Sequence, residues 1–284
     1  MNAANHAVTA IFDALLKPFE LVGPEFALIA VSGIFGVIAL IAFKHISYQR
    51  GIKAAKNKIK AHLIEIRLYQ DDLAIVSKAI GKVLLRNFQY LALNFGPFVP
   101  LSLPFVFVLA QLVVRYGFAP VPTTLPGAEV LPGRGTMIEV RLDAQHAHMV
   151  EGLRFEFPDG VRPLSPLVRA PSEGRAFQEV VAFAAGEHAI ALVLADGTRE
   201  MKSFVAGVPA RRMQPERGKG FFSALLWPAE DTFASDSPFD EIKFTYPDSD
   251  LGWLPGGVGG VLLVFLVASM AFGAAVMKPL GVQI

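Results

Sequence analysis

Few residues in this chain have types and spacings suited to covalent chemistry. There is no cysteine, which removes thiol nucleophiles, thiolate metal sites and disulfides. His146-x-His148 could bind a metal, but a lone histidine pair in a loop is usually incidental. Ser165, Ser172 and Ser203 lack the strand–turn–helix context of a nucleophile elbow. Gly256-Gly257-Val258-Gly259-Gly260 stands at the edge of an apolar run, not between a strand and a helix, so it is no phosphate loop. The expectation is a non-enzyme with no catalytic residue, no metal and no cofactor. The chemistry left is non-covalent: polar side chains placed in apolar surroundings, and a dense basic surface.

The polar candidates lie inside uncharged runs. They are Ser32 in the first run, Ser102 and Gln111 in the second with Arg115 at its end, and Met270 as an adaptable apolar group in the third. Gln111 and Arg115 are one helical turn apart and share a helix face. Arg115 either anchors at the interface with Tyr116 or, since intramembrane polar groups usually face a bundle interior, lines a polar cavity or groove with Gln111. Gly256-x-x-x-Gly260 and Ser269-x-x-x-Gly273 are small-residue pairs that allow close helix packing.

The basic surface is the block from Lys44 to Arg86. It holds ten Lys and Arg against Glu65, Asp71 and Asp72. Arg50, Lys53, Lys56, Lys58, Lys60 and Arg67 form its first half. Such a block is either a solvated face with a topology signal or a surface for anionic lipid, ribosomal RNA or a nascent chain, each juxtamembrane cation being worth about 1 kcal/mol near an anionic leaflet. Ile52, Ile59 and Ile66 recur every seven residues, with Ala55, His62 and Leu63 between them. Val76, Ile80, Val83, Asn87 and Tyr90 continue the pattern after a turn at Tyr69–Asp72. This predicts a two-helix coiled-coil hairpin, with Asp71 or Asp72 capping the second helix.

Three apolar runs flank these groups: Phe26–Phe43, Asn87–Val114 and Leu251–Met277, none containing a charge. Each approaches the roughly 20 residues a bilayer crossing needs. Lys/Arg excess in a short loop places the hairpin in the cytoplasm. The expected order is an amphipathic segment outside (1–24), a span (25–44), the hairpin (45–90), a second span (91–116), an outer domain (117–250), a third span (251–278) and a cytoplasmic tail (279–284). The N-terminus lacks a basic signal-peptide region, so the first span is retained. Pro97, Pro100 and Pro104 predict a helix break near Asn94–Gly96.

Residues 117–250 carry 13 Lys and Arg against 19 Asp and Glu, and change to short alternating runs. Strands are expected at Met137–Leu142, Leu153–Phe157, Gln178–Phe183, His188–Leu194, Glu200–Val205 and Glu241–Tyr246, after an extended proline-rich leader (120–132). Asp159-Gly160 and Asp196-Gly197 mark turns. This size and pattern fit one immunoglobulin-like β-sandwich. Phe221–Trp227 and Trp253 are suited to a membrane interface. The fold class is therefore membrane α-helical, with three spans and a coiled-coil hairpin, plus an all-β outer domain.

The order of Phe26–Phe43, basic hairpin Lys44–Arg86, Asn87–Val114, outside segment and Leu251–Met277 resembles the three-helix core of the YidC/Oxa/Alb insertase superfamily. It is similar to the small branch with archaeal YidC-like proteins and the insertase subunit of the endoplasmic reticulum membrane complex. The resemblance implies a membrane protein insertase or chaperone in a bacterial inner membrane. Its partners would be the bilayer, nascent or partner membrane proteins, and a ribosome or anionic lipid at the hairpin, with homo- or hetero-oligomers in view. The alternative is a scaffold subunit binding partners through the third span and the β-sandwich.

Overall fold

The computed structural model describes residues 2–282. Met1 and residues 283–284, parts of the expected N-terminal segment and tail, lie outside the described residues. Two compact units divide the chain: Met1–Leu28 with Val106–Val264, and Ile29–Phe105 with Phe265–Ile284. Three helical stretches are long and apolar enough to cross a membrane, Pro24–Ile46, Leu73–Tyr116 and Gly257–Met277, and the chain reads as a membrane protein.

The helices are α1 (Asn2–Glu20), α2 (Pro24–Ile46), α3 (Gln49–Leu68), α4 (Leu73–Phe95), α5 (Phe98–Tyr116), α6 (Gly220–Leu226) and α7 (Gly257–Met277). The middle apolar stretch is two helices. Gly96 and Pro97 separate α4 from α5, since Pro97 has no N–H to continue the ladder. The expected second span, 91–116, holds the end of α4 and then α5. The 19 residues of α5 reach about 28 Å at 1.5 Å per residue.

In the helical unit α3 and α4 pack along each other. Asp72 caps α4, its carboxylate accepting from the Ala74 and Ile75 amides at 3.0 and 3.1 Å. On α3 the inward residues are Ile52, Ala55, Ile59, His62 and Ile66, in steps of three and four. On α4 they include Val76, Ala79, Val83, Arg86 and Tyr90. Three sequence expectations need correction here. Ile80 and Asn87 are exposed, with Ala79 and Arg86 at the inward positions, and Leu63 is exposed. A helix turns about 100° per residue, so a one-residue shift carries Ile80 off the contact face. Apolarity favoured Ile80, but a small residue at 79 permits closer helix approach. Glu65 ties the hairpin together: it meets His62 at 2.8 Å and Lys82 of α4 at 3.7 Å. The His62 hydrogen bond holds its carboxyl below the usual range.

Elsewhere in this unit α2 meets the later part of α7. A Cβ on Gly36 would stand 2.1 Å from the Ser269 carbonyl oxygen, and one on Gly33 would stand 2.6 Å from the Phe272 ring. Glycine is required at both points because the backbones approach so closely. Phe35, Phe105 and Phe265 cluster beside them, with centroids 4.8 to 6.0 Å apart. Val282 tucks against Leu40 and Phe43.

The β unit holds nine strands: β1 (Thr136–Leu142), β2 (Arg154–Glu156), β3 (Val161–Pro163), β4 (Val168–Ala170), β5 (Arg175–Ala182), β6 (Gly186–Val193), β7 (Arg199–Ala206), β8 (Glu216–Gly218) and β9 (Phe239–Phe244). One antiparallel sheet runs β3-β5-β1-β9-β8 with β4 also on β5, and a second runs β2-β6-β7. All six expected strand runs form strands. The three-residue β3, β4 and β8 were not foreseen, because they lack the longer alternating run that marked the equally short β2 within Leu153–Phe157. Inward residues of both sheets form one core, among them Ile138, Val140, Val180, Ile190, Leu192, Phe204 and Ile242. The turn of β6–β7 is closed by Asp196, which accepts from the Thr198 amide at 2.9 Å, with Gly197 at φ +88°. The Tyr246 hydroxyl, beyond β9, accepts from the Val205 amide of β7 at 3.0 Å and links the two sheets. The leader departs from expectation in part: Val121 bridges to Ala206 and Thr123 to Ala182, so it is pinned to strand ends.

Lys202 of β7 is fully buried. Its ammonium donates to the Gln214 carbonyl at 2.7 Å and pairs with Glu230. Burial pushes its pKa down and Glu230 opposes that shift.

Two outcomes follow from this packing. Ala79→Asp puts a charge into the α3–α4 contact and should make the hairpin sensitive to limited proteolysis in the full chain. Ile80→Asp should not, and equal sensitivity would refute the register. In the β unit, Lys202→Met strands the Glu230 carboxylate and should cost about 3–5 kcal/mol. Adding Glu230→Leu should recover most of that loss, measured by tryptophan fluorescence on unfolding. Additive losses in the double variant would show that the two groups do not act as a pair.

Candidate functional site

The buried polar centre of the β-bearing unit forms where α1 crosses the end of α5. Gln111 is 0% exposed and the Arg115 side chain is 1% exposed. Their four-residue spacing brings the Arg115 Nη1 to the Gln111 side-chain oxygen at 2.6 Å, and to its carbonyl at 2.8 Å. The same guanidinium reaches α1 through Nη2, at 2.5 Å from Asp13 Oδ1 and 3.3 Å from the Thr9 carbonyl. Gln111 donates to the Thr9 hydroxyl at 3.2 Å. Phe12 lies beneath the guanidinium at 5.9 Å and meets Phe107 edge-on.

Local sequence explains why α1 presents this face. Thr9, Asp13, Leu16 and Glu20 recur at steps of four, three and four, and lie on the inward side. Ile11, Leu15, Leu21 and Val22 are exposed. The apolar stripe visible in the sequence therefore mixes two faces: Leu16 and Phe12 pack inward, while Ile11 and Leu15 point out. α1 also reaches the β-strand domain. Arg211 donates to the Asp13 carbonyl at 2.5 Å, and Asn5 donates to the Ala224 and Pro228 carbonyls at 3.4 Å.

Gln111 and Arg115 thus share a face as expected; α1 covers that face, and Arg115 also borders a cleft with Glu20, Tyr116 and Arg211. Thr9 and Asp13 were missed because a helix near the N-terminus carries no sign of which distant helix it covers. The remaining groove candidates behave differently. Ser32 is buried in α2. Ser102 is exposed and bonds the Val99 carbonyl of its own helix at 2.7 Å. Met270 is 65% exposed.

Of the packing candidates, Ser269 and Gly273 face Gly36 of the same chain. Gly260 and Gly256 sit close to Pro255 and Ser249 in the approach to α7. Arg50, Lys53, Lys58, Lys60 and Arg67 are exposed on α3, and Lys56 is half-buried. His146 and His148 lie in a 3-10 segment, Ala144–Gly152. Among the described residues no group of three or more His, Asp or Glu side chains could hold a metal.

The hairpin end carries a feature that the periodicity obscured. Leu63, Ile64, Leu68, Tyr69 and Leu73 are exposed together around the turn, Leu73 by 82% and Leu68 by 70%. Lys60 and Arg67 flank them. Isolated exposed leucines are ordinary, whereas these are five large exposed apolar groups between residues 63 and 73.

Comparison with protein-family models, curated proteins and solved structures finds no match.

The crossing of α1 over α5 should depend on its buried ion pair. Asp13→Ala leaves a buried guanidinium without its anion, a loss of about 3–5 kcal/mol in comparable pairs. Amide hydrogen exchange across α1 should accelerate by about a hundredfold or more. Lys17→Ala, on the exposed side, should leave it unchanged. Unchanged exchange in Asp13→Ala would remove the pair from its structural role.

Proposed function

We propose that the protein is a YidC/Oxa-like membrane protein insertase or membrane chaperone. The observation that carries this reading is the hairpin tip. Leu63, Ile64, Leu68, Tyr69 and Leu73 offer an apolar contact, and Lys60 and Arg67 stand beside it. In the proposed topology this tip lies in the cytoplasm, where an unfolded apolar segment awaiting insertion would meet it. The basic flank of α3 suits the anionic leaflet or ribosomal RNA. The hairpin is an antiparallel coiled coil on this reading. The β-strand unit is an immunoglobulin-like domain outside the cell membrane of a bacterium.

Capture and handover need no covalent step. An apolar segment leaving water gains about 25 cal/mol per Å² of surface removed. The hairpin supplies a first, reversible contact and the spans supply the second. The scaffold alternative gains less support, because Ser269 and Gly273 already pack against Gly36 within the chain.

The test joins crosslinking to insertion. A photoreactive side chain at Leu68 should capture a nascent apolar segment, while one at Lys58 should do so weakly. Leu68→Asp with Leu73→Asp removes two leucine contacts worth about 1.5–3 kcal/mol each when buried, so insertion of a dependent client should fall about tenfold or more. Normal insertion of short-tailed membrane proteins in depleted cells would sink the insertase reading and leave the scaffold.

A further inference from the structure

Beside the Arg115–Asp13 pair lies a cleft of about 340 Å³, lined by Glu20, Pro24, Arg115, Tyr116 and Arg211 among others. Its position is defined by helix ends: Pro24 opens one candidate span and Tyr116 closes another. A cleft at the ends of two spans stands where hydrocarbon gives way to lipid headgroups.

Its charged groups are loosely paired. Asp13 serves three guanidiniums. Arg115 takes it at 2.5 Å, and Arg211 and Arg212 stand off at 3.5 and 3.8 Å. Glu20 reaches Arg211 at only 3.7 Å. Charge-assisted hydrogen bonds close to about 2.7–2.9 Å, so neither Arg211 nor Arg212 makes a close contact with a carboxylate, although Arg211 donates to the Asp13 carbonyl. The buried Arg115 Nε has no hydrogen-bond partner among the described residues. Of the charged groups that line the cleft, Arg115 is held by Asp13, while Arg211 and Glu20 stand 3.7 Å apart, so each keeps capacity for a ligand group of opposite sign. Glu20 offers the opposite sign: one oxygen accepts from the Tyr116 hydroxyl at 2.9 Å, and its side chain is still 30% exposed. Leu21 and Val22, next in the chain, are 85% and 72% exposed and give an apolar surface beside the polar groups.

We propose that this cleft binds the headgroup of a phospholipid carrying both a phosphodiester and a primary ammonium, of the phosphoethanolamine type. The phosphate sits against Arg211, which lines the cleft, with Arg212 next in the chain adding positive charge; a guanidinium fork matches its oxygens. The ammonium donates to Glu20. The acyl chains run along Leu21 and Val22. A quaternary choline headgroup has no N–H for Glu20, and a glycerol headgroup has no cation for it, so the cleft discriminates against both.

Native mass spectrometry of the purified full chain, exchanged into mixtures of phosphatidylethanolamine, phosphatidylcholine and phosphatidylglycerol, tests this without any insertion assay. Its outcome is therefore independent of the proposed function. Retention of the ethanolamine lipid should exceed the other two by about tenfold, the factor given by one well-made charged contact. Arg211→Ala with Arg212→Ala should abolish the retention. Glu20→Gln, which conserves size, should keep binding but erase the preference over phosphatidylglycerol. If the double arginine variant loses its folded circular dichroism, Glu20→Gln alone decides. Displacement by millimolar inorganic phosphate would reassign the cleft to free phosphate and overturn the headgroup. Equal retention of all three lipids, or an unchanged preference in Glu20→Gln, would overturn the proposal as well.

Discussion

Arg115 is the constraint on which the β-bearing unit turns. A guanidinium with its side chain 1% exposed has lost its water, and that loss is tolerable only if fixed acceptors replace it. The replacements are Asp13 and Thr9 from α1, and Gln111 from its own helix. None can be omitted without leaving an unpaired polar group in an apolar environment. The position of α1 across α5 is therefore set by hydrogen bonding as much as by packing, although Phe12 and Leu16 fill the space around the pair. The same anion draws Arg211 and Arg212 from the segment after β7, so one carboxylate organises three stretches distant in sequence.

The helical unit follows a different rule. Close approach governs it. Gly36 meets the α7 backbone at a distance that forbids any side chain, and Ala79 occupies the hairpin contact where a larger neighbour is turned away. Where backbones approach this closely, dispersion between many atoms replaces specific polar contacts. This leaves the larger apolar side chains of the hairpin exposed at the turn.

The β-strand unit is stabilised by a shared core and two buried polar links. Lys202 with Glu230 is an ion pair that an apolar pair of equal volume would replace without loss. Tyr246 joins the sheets through the Val205 amide at the cost of burying one phenol. Burial, opposed by the hydrogen bonds it receives, raises its pKa well above the usual tyrosine value.

Much of this architecture was legible in the sequence because it rests on local periodicity. The apolar runs gave three membrane-length stretches, the proline cluster located the break at Gly96-Pro97, and Asp72 was visible as a cap. Alternation found β1, β2, β5, β6, β7 and β9, and Asp196-Gly197 marked the β6–β7 turn. The one-residue offset of Ala79 against Ile80 was not legible, since hydropathy ranks isoleucine first and takes no account of how near two helices come. Nor were β3, β4 and β8, or the fully buried Lys202, whose type argues for the surface. The pairing of Arg115 with Asp13 was beyond reach for a plain reason. The residues are about a hundred positions apart, and no local pattern records which distant helix a charged side chain will meet. Sequence alone determined that the chain has apolar stretches, a basic hairpin and a strand-rich domain. Tertiary structure alone decided that Gln111 and Arg115 are covered, because covering a buried charge is a requirement met in space and not along the chain.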